Sequence, residues 1–135
     1  MIRYLLDTNS LSDVVRNPHG AVAGQILRVG EANIGTSIIV AAELRYGAEK
    51  RGSRRLANKV ADLLDAIVVV PFEPPADVTY AAVRAELERA GRPIDANDLL
   101  IAAHAVTLGS TLVTDNERDF RRIKGLTIEN WLRRR

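Results

Sequence analysis

No cysteine occurs among the 135 residues. Its absence excludes disulfides and thiolate metal sites, while leaving the redox compartment open. Histidine is scarce as well: His19 and His104 are the only two, far apart along the chain. A metal site built here must draw mainly on oxygen ligands, which favours Mg²⁺, Mn²⁺ or Ca²⁺ over Zn²⁺. Long apolar runs are missing; the longest, such as residues 38–42 and 66–70, fall far short of the roughly 20 residues that span a bilayer. An aspartate arrives at position 7, too early for a signal peptide, so a cytoplasmic location is expected. Strong net charge is lacking too: +2 overall, with a pI near 9.3, permits nucleic-acid binding without demanding it. There is no Gly-rich phosphate loop and no plausible Ser-His-Asp set.

What is present reads as one domain of alternating strands and helices, with no repeat or long linker. Residues 2–6 suit a short buried strand. Asp7-Thr-Asn-Ser10 reads as a loop with capping residues leading into a helix over 11–16. A weakly amphipathic helix follows over 21–29, then a strand over 33–36. Ser37 is a good N-cap for a helix to about Lys50. Gly52 and Ser53 separate it from another, over 54–64. Residues 67–70 are β-branched and predict a third strand. Pro74 and Pro75 precede a helix over 77–90. Asp95 is a candidate N-cap for a helix over 96–108, with Gly109 closing it. Residues 111–114 predict a fourth strand and 126–128 a fifth. This alternation argues for a parallel α/β sheet covered on both faces, with its site at the carboxyl ends of the strands.

That rule turns attention to the acids. Asp7 and Asp115 each follow a predicted strand, where an acid can also be a simple helix or turn cap. Glu43 is harder to explain structurally: its helical neighbours are Ile39, Val40, Tyr46 and Gly47, flanked by Ala42 and Leu44. A carboxylate on so apolar a face carries a desolvation cost of several kcal/mol unless paired or metal-bound, and Arg45 points elsewhere on the helix. Asp98 sits one turn after Asp95, so two acids crowd one helix end. Converging carboxylates repel or take up protons unless a cation neutralises them. A hard divalent ion would do so, and could polarise a phosphoryl oxygen and acidify a water.

These residues, in this order, resemble the PIN-domain family, and within it the VapC-type toxins of bacterial toxin–antitoxin pairs. The matching stretches are Tyr4-Leu-Leu-Asp-Thr-Asn9, Ser37-Ile-Ile-Val-Ala-Ala-Glu-Leu-Arg-Tyr-Gly47, Gly91-Arg-Pro-Ile-Asp-Ala-Asn-Asp-Leu-Leu-Ile-Ala-Ala-His104, Thr111-Leu-Val-Thr-Asp-Asn116 with Phe120, and Gly125-Leu-Thr-Ile-Glu-Asn-Trp131. The resemblance covers essentially the whole chain, residues 1–135 as a single PIN domain. It implies a flavodoxin-like three-layer α/β/α sandwich with a mostly parallel sheet, and Mg²⁺- or Mn²⁺-dependent cleavage of RNA, including structured RNAs such as tRNA. One or two ions held by Asp7, Glu43 and Asp98 would activate a water for in-line attack, leaving 5′-phosphate and 3′-hydroxyl ends. The family's fourth acidic position falls on Asp115, Asn116 or Asp119, ranked in that order. Thr8 and Thr114 take supporting positions, and Asp95 lies just outside the ligand set. The resemblance further implies a VapB-type antitoxin that inserts a basic side chain among the carboxylates, a homodimer, higher toxin–antitoxin assembly, and inhibition of translation.

Two basic segments, Lys50, Arg51, Arg54, Arg55 and Lys59, and Arg118, Arg121, Arg122 and Lys124, suit either solvated helix surface or RNA phosphate contact. The role of the tail Arg133-Arg134-Arg135 is open. Apolar faces at residues 38–44 and 60–64 could meet a partner or simply pack the core. Two other readings compete. An aspartyl-phosphate phosphatase or receiver also places acids at strand ends, but Asp7-Thr-Asn9 lacks its second aspartate and no lysine directly follows residues 111–114. A PIN module that binds antitoxin or RNA without catalysis is the other, against which the retained Asp7, Glu43 and Asp98 weigh.

Overall fold

The structure, a computed structural model, describes residues 2–132; the terminal arginine triplet lies outside them. Five short strands form one sheet: β1 (Tyr4–Leu6), β2 (Ile34–Ser37), β3 (Val68–Val70), β4 (Thr111–Val113) and β5 (Ile128–Glu129). Their order is β3-β2-β1-β4-β5, and each pairing is parallel. Between them run α1 (Thr8–Arg16), α2 (Ala21–Val29), α3 (Ile38–Arg51), α4 (Arg54–Ala66), α5 (Ala76–Arg89), α6 (Ala96–Leu108) and α7 (Glu117–Phe120). The chain builds outward from β1 through β2 to β3, then jumps back across to β4 and on to β5. Right-handed crossovers in opposite directions place their helices on opposite faces. Accordingly α1 packs with α2, α3 and α4, while α5 lies along α6. This is the expected three-layer α/β/α sandwich, and its sheet is wholly parallel rather than mostly so.

The core is aliphatic. Leu5, Leu6, Leu11, Ile34, Ile101, Leu112, Val113 and Phe120 are fully buried along the sheet and the helices that cover it. Gly35 is needed in β2 because a Cβ there would stand 3.0 Å from the Val68 carbonyl oxygen and 3.1 Å from Ile2 Cγ1. Buried hydroxyls lace the strand ends: Ser10 donates to the Val113 carbonyl at 3.2 Å, Thr36 to the Leu6 carbonyl at 2.6 Å, and Ser110 to the Ile2 carbonyl at 2.7 Å. His104, 2% exposed on α6, has Nδ1 2.8 Å from Ser37 Oγ. Ser37 in turn caps α3 by accepting from Ile39 N–H at 3.0 Å, so α6 and the start of α3 are tied through one hydroxyl. Burial pushes the imidazole pKa down, opposed by its hydrogen bond to the Pro71 backbone and by Glu73.

The helices and strands follow the sequence pattern with corrected ends. The first helix starts at Thr8 rather than at residue 11, because Asp7 is its N-cap and accepts from Thr8 N–H. The last strand lies at Ile128–Glu129, shifted two residues on. The one-turn helix α7 was not anticipated; Phe120, fully buried, anchors it. The apolar segments offered as partner faces divide: Val40, Ala41, Leu44, Val60 and Leu64 are core, whereas Ile38 is 45% exposed.

Leu112→Ala, at a fully buried position on the interior strand β4, should lower unfolding free energy by about 2–5 kcal/mol, read as a shifted denaturation midpoint at unchanged slope. Leu27→Ala, at a position 76% exposed, should change it by less than about 0.5 kcal/mol.

Candidate active site

The strand order reverses between β1 and β4, and crevices in open parallel sheets form at such a point, beyond the carboxyl ends of the strands. Asp7 stands there. Its N–H donates to the Val113 carbonyl at 2.9 Å, continuing the β1–β4 ladder. Its side chain is 6% exposed and held from two sides: Oδ1 accepts from Thr8 N–H and Oδ2 from the Thr114 hydroxyl, each at 2.7 Å. Burial raises the Asp7 pKa; the Thr114 and Thr8 donors oppose this and the Glu43 charge adds to it.

Glu43 reaches the same place from α3. It is half-buried, at the seam between helices and not on the apolar face expected of it; that face is Val40, Ala41, Leu44 and Ala48, while Tyr46 is 64% exposed. One oxygen accepts from the Thr8 hydroxyl and the other from the Asn97 amide at 3.2 Å. Both donors are neutral.

Asp98, in the first turn of α6, completes the group. Its pKa is raised to about 6, first by desolvation and then by the charges of Asp7, Asp95, Glu43 and Asp119. Its Oδ2 accepts from the Asn116 amide at 3.2 Å, and the same nitrogen donates to Asp119 at 3.2 Å. No ion pair reaches Asp7, Glu43 or Asp98 among the described residues.

Asp7, Glu43 and Asp98 therefore wall one cavity of about 600 Å³, together with Thr8, Asn9, Tyr46, Asn97, Asp115 and Asn116. They line it without closing on a point: among the described residues, no three His, Cys, Asp or Glu side chains form a group that could hold a metal ion. Of the three candidates for the fourth position, Asn116 and Asp119 are those linked to Asp98. Asp115, ranked first on sequence, lies exposed at the rim and accepts from Asn130 at 2.9 Å. The Asn116 amide presents its nitrogen, not its oxygen, to the carboxylates. Asp95 is exposed and caps α6 through Asn97 N–H at 3.1 Å, adding charge to Asp98 from outside the cavity.

Asn97 went unread in the sequence. Its signal was its place between two acids in the first turn of a helix, where a neutral amide can donate to a neighbouring carboxylate without adding charge. The basic segments separate. Lys50, Arg51 and Arg54 are exposed, and so is Arg118. Arg121 is paired with Glu117 at 3.1 Å, and Arg122 lies 3.6 Å from Asp119 while donating to the Pro93 carbonyl at 3.4 Å. Arg121 remains exposed in its pair, whereas Arg122 is half-buried.

Residues 4–126 match the PIN domain family. The chain belongs to the PIN-domain family. It falls among the VapC-type members, being 36% identical over 130 residues to ribonuclease VapC2 of Rickettsia felis, a match covering 95% of this chain and 97% of that one. It is 34% identical over 133 residues to the tRNA(fMet)-specific endonuclease VapC of Shigella flexneri, covering 97% and 99%. Among solved structures, the DNA-bound VapBC of Salmonella typhimurium is similar with a TM-score of 0.91 at 32% identity, covering 97% of this chain and 99% of that one. VapBC2 of Rickettsia felis, bound to a promoter DNA fragment, is similar with a TM-score of 0.87 at 36% identity, again covering 97% and 99%. No helix among the described residues of this PIN domain is long and apolar enough to cross a membrane.

The raised Asp98 pKa has a defined sign. Between its ordinary 3.8 and about 6 the folded chain binds more protons at this group than the unfolded chain, so stability from it falls as pH rises through that window and stays reduced above it. Asp98→Asn should therefore raise the thermal midpoint of chelator-treated protein at neutral pH. The gain should shrink as pH falls toward 3.8; a gain independent of pH would refute charge repulsion as its source.

Proposed function

We propose that this chain is a metal-dependent endoribonuclease toxin that hydrolyses RNA phosphodiesters, in tRNA or another structured RNA, and thereby inhibits translation. The observation that carries the reading is the gathering of Asp7, Glu43 and Asp98 from three elements around one cavity with no cation among them. The names of its relatives, ribonuclease VapC2 and tRNA(fMet)-specific endonuclease VapC, support it. The donor set fits Mg²⁺ or Mn²⁺: every candidate ligand is an oxygen, the carboxylates repel one another, and Mg²⁺ commonly takes only one or two carboxylates while keeping several waters. Asp7, Glu43 and Asp98 line the cavity that would receive it, one or two of them as direct ligands and the rest through its retained waters. When bound, it would supply positive charge at a phosphoryl oxygen and acidity at a nearby water.

The chain's own side chains set the geometry for this. Thr114 and the Thr8 N–H fix both oxygens of Asp7, Thr8 and Asn97 fix those of Glu43, and Asn116 fixes one of Asp98. Neutral donors can orient a carboxylate without cancelling its charge, which keeps the cavity attractive to a cation. Asp7 has the least solvent access of the three. The partner proposed is a VapB-type antitoxin, in line with the VapBC assemblies among similar structures, acting on a homodimer in the cytoplasm.

Expression of wild type should arrest growth, and the purified protein should cut RNA with Mg²⁺ or Mn²⁺ and stop on chelation. Asp7→Ala and Asp98→Asn should each lower cleavage by roughly 10²-fold or more, and Glu43→Gln should lower it without loss of metal-free stability. Thr114→Val, which removes a donor behind Asp7, should weaken metal affinity about 10–100-fold, measured by calorimetry. Undiminished cleavage by folded Asp7→Ala and Asp98→Asn variants would remove these carboxylates from the chemistry.

A further inference from the structure

We infer that the crevice between α1 and α4 is a path for the RNA backbone flanking the cleaved phosphodiester, an inference that rests on the ribonuclease reading above. Arg16, Arg51, Arg55 and Lys59, from three helices, line a cavity of about 380 Å³ with no carboxylate among its lining residues. None of the four is in an ion pair among the described residues, in contrast to Arg121 and Arg122. Helix stability explains only part of this arrangement. Arg16 and Arg51 sit in the last turns of α1 and α3, where the helix dipole favours a cation. Arg55 lies in the first turn of α4, beside Arg54 and with no acid there, where the dipole disfavours one. Like charges gathered at an unfavourable helix end point to an external anion.

The crevice also leads to the right place. A second cavity, of about 300 Å³, shares Arg16, Arg51, Val15 and Leu56 with it and ends at Thr8 and Glu43. Those two residues also line the acidic cavity, so the second cavity adjoins the crevice on one side and, across the hydrogen-bonded Thr8–Glu43 pair, the acidic cavity on the other. Glu43 and Arg51 are eight residues apart on α3, about 12 Å along the helix axis and the reach of a few nucleotides. A strand whose phosphodiester lies among the carboxylates must carry its next phosphates away from them, and the crevice offers the unpaired cations. Exposed cations of this kind position a backbone without reading its sequence.

The test measures binding, apart from cleavage. A short fluorescein-labelled single-stranded RNA is titrated by anisotropy with Mg²⁺ present, using Asp98→Asn as the host so that the RNA stays intact. Adding Arg55→Gln and Lys59→Gln should lower affinity at least about tenfold and flatten the slope of log affinity against log salt by about 1.4, since each single-strand phosphate contact contributes ~0.7. Arg121→Gln with Arg122→Gln should change affinity less than about twofold, and circular dichroism should show all variants folded. Affinity and slope indifferent to Arg55 and Lys59, or no RNA binding by the host, would overturn the path. So would labelled polyglutamate binding the crevice more tightly than RNA with the same dependence on Arg55 and Lys59, which would assign it to an acidic protein segment. Wild-type cleavage would stand or fall separately, by the variants of Asp7 and Asp98.

Discussion

Carboxylates brought together without a counter-charge are the constraint around which this fold is arranged. Asp7 is placed by a ladder hydrogen bond that belongs to the sheet itself, so it cannot retreat without breaking the β1–β4 pairing. Asp98 is fixed one turn into α6, and Glu43 in the middle of α3. Each sits on a different element, and the repulsion among them is resisted by the whole core. Burial first, and then that repulsion, raises the Asp98 pKa, with three of the four charges that lift it lying on other elements or beyond its own turn. Functional sites commonly carry such perturbed groups, and here the perturbation arises from the convergence itself as well as from burial.

What holds the acids in place is a set of neutral hydrogen bonds between layers. Ser10 fastens α1 to β4, Thr36 fastens β2 to β1, and His104 fastens α6 to the cap of α3. Thr8, Thr114, Asn97 and Asn116 then orient the carboxylates directly. An arginine or lysine in any of these positions would satisfy the acids more strongly, but it would also occupy the charge that a metal would need. Hydroxyls and amides give direction while leaving the negative potential in place.

The order of strands and helices was legible because the local signals agree: a β-branched run marks β3, short apolar segments mark β1 and β4, and Ser37, Ser53, Asp95 and Gly109 each cap the helix that their position implies. Glu43 was found for a partly mistaken reason. Helix α3 is apolar on several sides, so periodicity alone could not tell the core-facing stripe of Val40, Ala41, Leu44 and Ala48 from the seam that holds Glu43. Asn97 was hidden because its partner lies 54 positions away, a contact that no local pattern encodes. Sequence separates Asp115 and Asn116 little, and the bend after β4 turns Asp115 toward Asn130 and Asn116 toward Asp98. Side-chain direction within a bend is set by backbone geometry that residue identity does not reveal.

Net charge was the least informative quantity of all, because +2 is the residue of two opposed regions. Acids crowd the end of the sheet, while unpaired cations line the crevice toward α4. Glu43 and Arg51 are offset by about 12 Å of axial rise along α3, and no ion pair joins the cations of the crevice to Asp7, Glu43 or Asp98 among the described residues. On the proposed reading, this separation would let one small domain attract a divalent ion at the acidic cavity and a polyanion beside it. Had the arginines stood within ion-pair distance of Asp7, Glu43 and Asp98, both attractions would have cancelled.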